Sequence, residues 1–177
     1  GVDLQGESEY VFRPDSEWRT IDLATASFGQ GIAATSIQMV RAAAVIANGG
    51  KLLRPYVVQS VQQGDQVIET QPKVLRQVIS PATAQTVTEM MVYTASQGDA
   101  KWALPEGVSV AGKTGTAQIA GEGGYLENKT IASFIGFAPA ENPEFVMLVK
   151  LREPTSSPWG SETAAPLWFD ILPHLLK

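Results

Sequence analysis

Cysteine is absent from all 177 residues, and histidine occurs once, as His174 near the C-terminus. The first absence excludes disulfides and thiolate metal sites, and leaves the redox compartment undetermined. The second argues against a histidine-rich zinc site or a Ser-His-Asp triad within this chain. Basic residues are few: 13 Lys and Arg face 18 Asp and Glu, for a net charge of -5 and a pI of about 4.9. That balance argues against a nucleic-acid or anionic-membrane surface. No apolar run approaches the roughly 18 residues that a membrane span needs. The opening "GVDLQGESEY" has neither a Met nor a basic stretch, so it does not read as a signal peptide. It reads as the interior of a domain whose N-terminal part is carried elsewhere.

What is present suits one domain or a large piece of one. Hydrophobic residues make up 44% and charged residues 18%, enough for a packed core. Residues 1–31 read as irregular and polar, with a glycine-flanked turn from Phe28 to Gly31. Thr35 and Gln38 then have the N-cap and N3 spacing of a capping box, and Asn48-Gly49-Gly50 closes a helix over about 36–48. "YVVQSVQQGDQVIET" reads as a small hairpin turning at Gly64-Asp65. Ser80 and Pro81 open a second helix that Gly98 ends. Its face of Val87, Met90, Met91 and Thr94 reads as core.

Three strand candidates follow: "VSVAGKTGTAQI", "TIASFIGFAP" and "EFVMLVKLRE". The links between them, Gly121–Lys129 and Ala140–Pro143, are short and imply antiparallel neighbours. The continuous apolar run from Phe145 to Val149 predicts a third strand that is central and covered on both faces. Ala164, Leu167, Trp168, Ile171, Leu172 and Leu175 fall at helical spacing, with Pro166 tolerated in the first turn. Pro173 should kink or fray the end, leaving His174 on the surface. The fold class is α+β, an antiparallel sheet covered by helices.

The stretch that carries chemistry is "AGKTGTAQ", Ala111 to Gln118. Side chains alternate along a strand, so Thr114 and Thr116 share one side and Lys113 and Gly115 the other. At a sheet edge both sides can border a cleft. The two hydroxyls could hold a carboxylate, with Lys113 adding positive charge. Gly115 leaves room for a ligand backbone, and a free edge N–H could pair with an extended peptide or stabilise an oxyanion. The bland alternative is a solvated strand end of small residues. "GVSVAGKT" also matches the phosphate-loop pattern formally, but "VSVA" is strand-like where a loop is needed and "GTAQIAGEGG" is no helix.

"GVDLQGE", "LATASFGQGIAATSIQMVRAAAVIANGGKLLRPYVV", "VAGKTGTAQ", "ASFIGFAPAENPEFVMLVKLREP" and "AAPLWFDIL" occur in this order over nearly the whole chain. On these stretches the chain resembles the C-terminal part of the transpeptidase domain of class B penicillin-binding proteins, closest to the cell-division type. It departs at "GSETAAP", where relatives often have Gly-Gly in place of Gly160-Ser161. The resemblance implies a penicillin-binding fold and a serine acyl-transferase that works without cofactor or metal. Such an enzyme opens the D-Ala-D-Ala end of a peptidoglycan stem peptide and passes the acyl group to an amine; β-lactams acylate the same serine. Carried over by motif, Lys113 supplies charge and hydrogen bonding beside the nucleophile. Thr114 and Thr116 bind the substrate or β-lactam carboxylate, Gly115 lies between them, and the Thr116 N–H forms half of the oxyanion hole. The glycine-rich loop from Gly121 to Lys129, with Tyr125, would border the cleft mouth. The implied location is the periplasm or the extracytoplasmic face of the inner membrane, and proteins of a division complex are possible partners.

Two family motifs, S-x-x-K with the nucleophile and S-x-N, are absent. No lysine here has a serine three positions earlier, and no asparagine a serine two positions earlier. The nucleophile is therefore not in this chain. Either an N-terminal fragment of the same enzyme brings both motifs, or the chain is a non-catalytic peptide- or partner-binding module. A β-lactamase or β-lactam sensor sharing the fold is the third reading. If the first is right, the chain alone should expose a large apolar patch.

Overall fold

The computed structural model describes residues 2–7, 14–121 and 123–176. Of the segment expected to be irregular, residues 1 and 8–13 lie outside the described residues. The remainder holds two elements that periodicity did not announce: a 3-10 turn at Asp15–Glu17 and helix α1, Thr20–Ala26. Helix α1 starts from Arg19, a residue type without capping preference, and buries no residue. Its start is held instead by Asp22, whose Oδ2 accepts from Arg19 N and Nε, both at 3.0 Å. The turn after it is as expected, with Gly29 and Gly31 at positive φ.

Helix α2 spans Ser36–Ala47. The capping box forms: Thr35 Oγ1 accepts from Gln38 N at 3.3 Å, and Gln38 Oε1 from Thr35 N at 2.8 Å. The chain then forms β1, Lys51–Leu53, β2, Ser60–Gln63, β3, Gln66–Glu69, and β4, Val74–Gln77. Strands β2 and β3 are the expected hairpin. Strands β1 and β4 pair antiparallel around it, a pairing too short to show in the sequence. Helix α3, Pro81–Gln97, has Ser80 Oγ accepting from Thr83 N at 3.0 Å and ends at Gly98.

The main sheet contains β5, Ala111–Gly121, β6, Gly124–Ala138, and β7, Phe145–Arg152, all antiparallel in the order β5-β6-β7. Two expectations change here. The central strand is β6, whereas β7 lies at an edge among the described residues. Its apolar run does reflect two covered faces: Phe145, Met147 and Leu151 pack toward one core cluster and Val146 toward the other. An apolar run reports what covers a strand's faces, not which strand lies beside it. The stretch from Gly121 to Lys129 is mostly strand, since Ala120 pairs with Tyr125 and Gly121 with Gly124 after a register shift. Glu122, within that stretch, lies outside the described residues.

Helix α4, Ala164–Leu175, continues through Pro173, and Leu176 N bonds Leu172 O at 3.3 Å. His174 is exposed, as expected. One face of the sheet packs on α4 through Phe134, Val149, Trp168, Phe169 and Leu172. The Phe134 ring lies 5.3 Å from Trp168 and 5.1 Å from Phe169, and Trp168 Nε1 donates to Met147 O at 3.0 Å. The other face packs on α2 and α3, with Ala111 and Phe137 against Ile46, Met91 and Val92. This is the expected α+β arrangement. The expected core face of α3 is not closed, however. Of Val87, Met90, Met91 and Thr94, Met90 is 62% exposed and the other three are half-buried; the buried residues of this helix are Ala84 and Ala95.

Candidate functional site

Strand β5 pairs with β6 alone, so the K-T-G stretch runs along a free edge among the described residues. Register places Lys113 opposite Ile135 and Thr114 opposite Phe134. Phe134 belongs to the α4 core, whereas Ile135 lines a groove against α2 and α3. Alternation therefore directs Lys113 and Gly115 toward α2 and α3, and Thr114 and Thr116 toward α4. The continuous strand from Ala111 to Gly121 leaves no phosphate loop followed by a helix.

Lys113 is exposed, and its Nζ donates to Thr114 O at 2.9 Å. It borders a groove of about 360 Å³ walled by Met39, Ile46, Val87, Met90, Met91 and Ile135. An exposed cation is screened by water, so its charge gains strength only when a group seated in the groove excludes that water. A larger hollow of about 580 Å³, lined by Ile46, Pro81, Thr88 and Glu141, has no K-T-G residue on its wall.

On the opposite face the loop before α4 crosses the strands. Gly160 N donates to Thr116 Oγ1 at 3.0 Å. The loop is tied by several bonds: Thr163 Oγ1 donates to Trp159 O at 2.6 Å, Ser157 Oγ to Glu162 Oε2 at 2.6 Å, and Thr130 Oγ1 to Pro158 O at 2.8 Å. Gly160 is buried. A Cβ there would meet Gly115 O at 2.5 Å and Ser133 O at 2.6 Å. In the sequence Gly160 drew notice only as the first residue of the Gly160-Ser161 departure and was given no role, and Ser133 was given none either, because neither carries unusual chemistry. Only the fold brings them to the strand.

Tyr125 does not join this cluster. It lies opposite Ala120 and is 58% exposed, four residues, or about 13 Å, along the strand from Thr116. Away from the edge, Asp3 accepts from Val57 N at 2.7 Å and Val58 N at 3.0 Å. These bonds, Val58's first, hold its carboxyl below the usual range. Glu153 is likewise lowered, chiefly by its bond with Lys129, 2.7 Å away. No cluster of three or more His, Asp or Glu side chains occurs among the described residues. No helix among them is long and apolar enough to cross a membrane.

The family model for the penicillin-binding protein transpeptidase domain matches residues 1–173. Stage V sporulation protein D of Bacillus subtilis is 38% identical over 176 residues, covering 97% of this chain and 27% of that protein. Peptidoglycan D,D-transpeptidase FtsI of Buchnera aphidicola is 33% identical over 179 residues, covering 98% and 30%. Among solved structures, penicillin-binding protein 3 of Mycobacterium tuberculosis complexed with aztreonam matches with a TM-score of 0.88 at 33% identity, over 99% of this chain and 42% of that one. The transpeptidase domain of Burkholderia pseudomallei penicillin-binding protein 3 gives 0.83 at 32%, over 98% and 51%. The chain thus spans about half or less of each of these relatives. With the edge strand, the helices on both sheet faces and the match from residue 1 to 173 in agreement, the chain belongs to the penicillin-binding protein transpeptidase domain family.

Proposed function

We propose that this chain is the C-terminal portion of a serine D,D-transpeptidase domain that cross-links peptidoglycan, its nucleophile supplied by an S-x-x-K segment outside these 177 residues. The observation that carries the reading is the free edge of β5. There Lys113 faces an apolar groove and Thr114 and Thr116 lie on the other side of the same strand. In this reading Lys113 supplies positive charge beside the serine, and the threonine hydroxyls take the stem-peptide or β-lactam carboxylate. Thr114 and Thr116 have the same parity in the strand, so their backbone groups are directed to the same edge. The Thr114 carbonyl receives Lys113 Nζ, which points to that edge being the one away from β6; the Thr116 N–H is then available to the oxyanion, an interaction worth about 3 kcal/mol in the transition state. The substrate is a peptidoglycan stem peptide, the place of action the periplasm or outer face of the inner membrane, and division proteins are the expected company. Support comes from relatives named as D,D-transpeptidases and from structures carrying aztreonam and ampicillin.

The test is labelling of the native material with a fluorescent penicillin, followed by a denaturing gel. Label on a polypeptide segment outside these 177 residues is expected, and it should fall about 100-fold in rate when Lys113 becomes Ala. Label attached within residues 1–177 would overturn the absence of a nucleophile. A native sample that contains an S-x-x-K segment and takes no label would favour a non-catalytic binding module. Rapid turnover of the label, with release of hydrolysed penicillin, would favour a β-lactamase.

A further inference from the structure

The hydroxyls around the end of β5 differ in how they use their proton. Thr130, Thr163 and Ser133 donate to backbone carbonyls, at 2.8 Å to Pro158, 2.6 Å to Trp159 and 3.5 Å to Gly115. Thr116 Oγ1 instead accepts, from Gly160 N at 3.0 Å. A hydroxyl has one proton and two lone pairs. With one lone pair held by an N–H, the proton is turned away from the loop and is free to donate to an anion. The donor is itself held in place: Ala165 N bonds Gly160 O at 2.8 Å, and the Trp159 carbonyl next to it receives Glu162 N at 3.2 Å. The close approach requires glycine at 160, since a Cβ would strike the backbone oxygens of Gly115 and Ser133.

We propose that Gly160 is a positioning residue: its backbone N–H fixes the Thr116 hydroxyl as a donor to the ligand carboxylate, so the loop before α4 sets carboxylate recognition without touching the ligand. This rests on the carboxylate role given to Thr116 above. It extends that role to a residue on a different element, 44 positions away.

The experiment uses the complete native enzyme and compares acylation rates by benzylpenicillin and by its methyl ester, which lacks the carboxylate charge. Thr116→Val removes the hydroxyl, and Thr116→Ser restores it. Gly160→Ala adds the obstructing Cβ. Because that variant could disturb packing, glycolic acid at position 160 replaces the N–H by oxygen and adds no bulk. Both Thr116→Val and the glycolate variant should lose about tenfold on benzylpenicillin, the scale of one hydrogen bond to a charged group. They should change little on the ester, and Thr116→Ser should stay near wild type. Combining the glycolate with Thr116→Val should be no worse than Thr116→Val alone. Equal losses on both probes, no loss in the glycolate variant, or multiplied losses in the combination would each overturn the positioning role. A Thr116→Val enzyme that keeps its full preference for the acid would overturn the carboxylate role itself, and the proposal with it.

Discussion

Lys113 and Thr116 stand three positions apart in the sequence but project from opposite faces of one strand. That division makes their substitutions separable. Lys113→Ala should slow acylation of acid and ester penicillins alike, because its ammonium borders the groove of α2 and α3 and bonds the Thr114 carbonyl rather than either threonine hydroxyl. A carboxylate-selective loss in Lys113→Ala would contradict this separation. Asp3 offers a second test at this scale. Its carboxyl is held low by two backbone N–H bonds, so the bonds stabilise the folded form above the unfolded carboxyl range, near 3.9. They are lost as pH falls through the depressed folded value. Val57 and Val58 amides in the native protein should keep their hydrogen-exchange protection at the unfolded carboxyl value of about 3.9 and lose it only as pH falls further, through the depressed folded value, and Asp3→Asn should weaken it at neutral pH as well. Unchanged protection in Asp3→Asn would show that other contacts hold that segment. The placement of Lys113 and Thr116 on opposite faces of the strand was legible from alternation alone. Gly160 was not, because a backbone N–H donor has no signature in a sequence.

At the scale of elements, capping chemistry announced the helices it governs. Thr35 and Gln38 bond each other's backbone as their spacing predicts, and Thr35→Ala should cost about 1 kcal/mol of stability by urea unfolding of the native protein. A change below the error of that measurement would mean that packing alone holds the start of α2. Helix α1 escaped because Arg19 is no capping residue and no apolar stripe is buried. The pairing of β1 with β4 escaped because its three- and four-residue strands are exposed or half-buried and show no alternation. Within the sheet, the Gly112 position is filled by the Phe134 ring, which also packs on Trp168 and Phe169. Gly112→Ala should therefore destabilise by about 1–3 kcal/mol through overpacking, and Phe134→Leu in the same chain should recover part of it. Additive losses would show that the two do not share that space.

For the whole molecule, the two sheet faces are unequally finished. The α4 side is a closed core with Trp168 fully buried, so Trp168→Ala should cost about 3–5 kcal/mol. The α2 and α3 side opens into the groove beside Lys113, with Met39 42% and Met90 62% exposed. If the segment bearing the serine seats there, a cysteine at Met90 should react with a maleimide readily in the isolated 177 residues. In the complete native enzyme it should react slowly. Equal reactivity in both would mean that the groove stays open and that the serine approaches from elsewhere. The sequence by itself determined the caps of α2 and α3 and the three antiparallel strands, because each depends on spacing along a local stretch, and its resemblance over several stretches identified the family. Only the tertiary structure decided that β6 rather than β7 is central among the described residues. It alone decided that the methionines of α3 line a groove, and that Gly160 reaches Thr116. These outcomes depend on which distant segments meet, and a strand's pattern records that its faces are covered without recording by what.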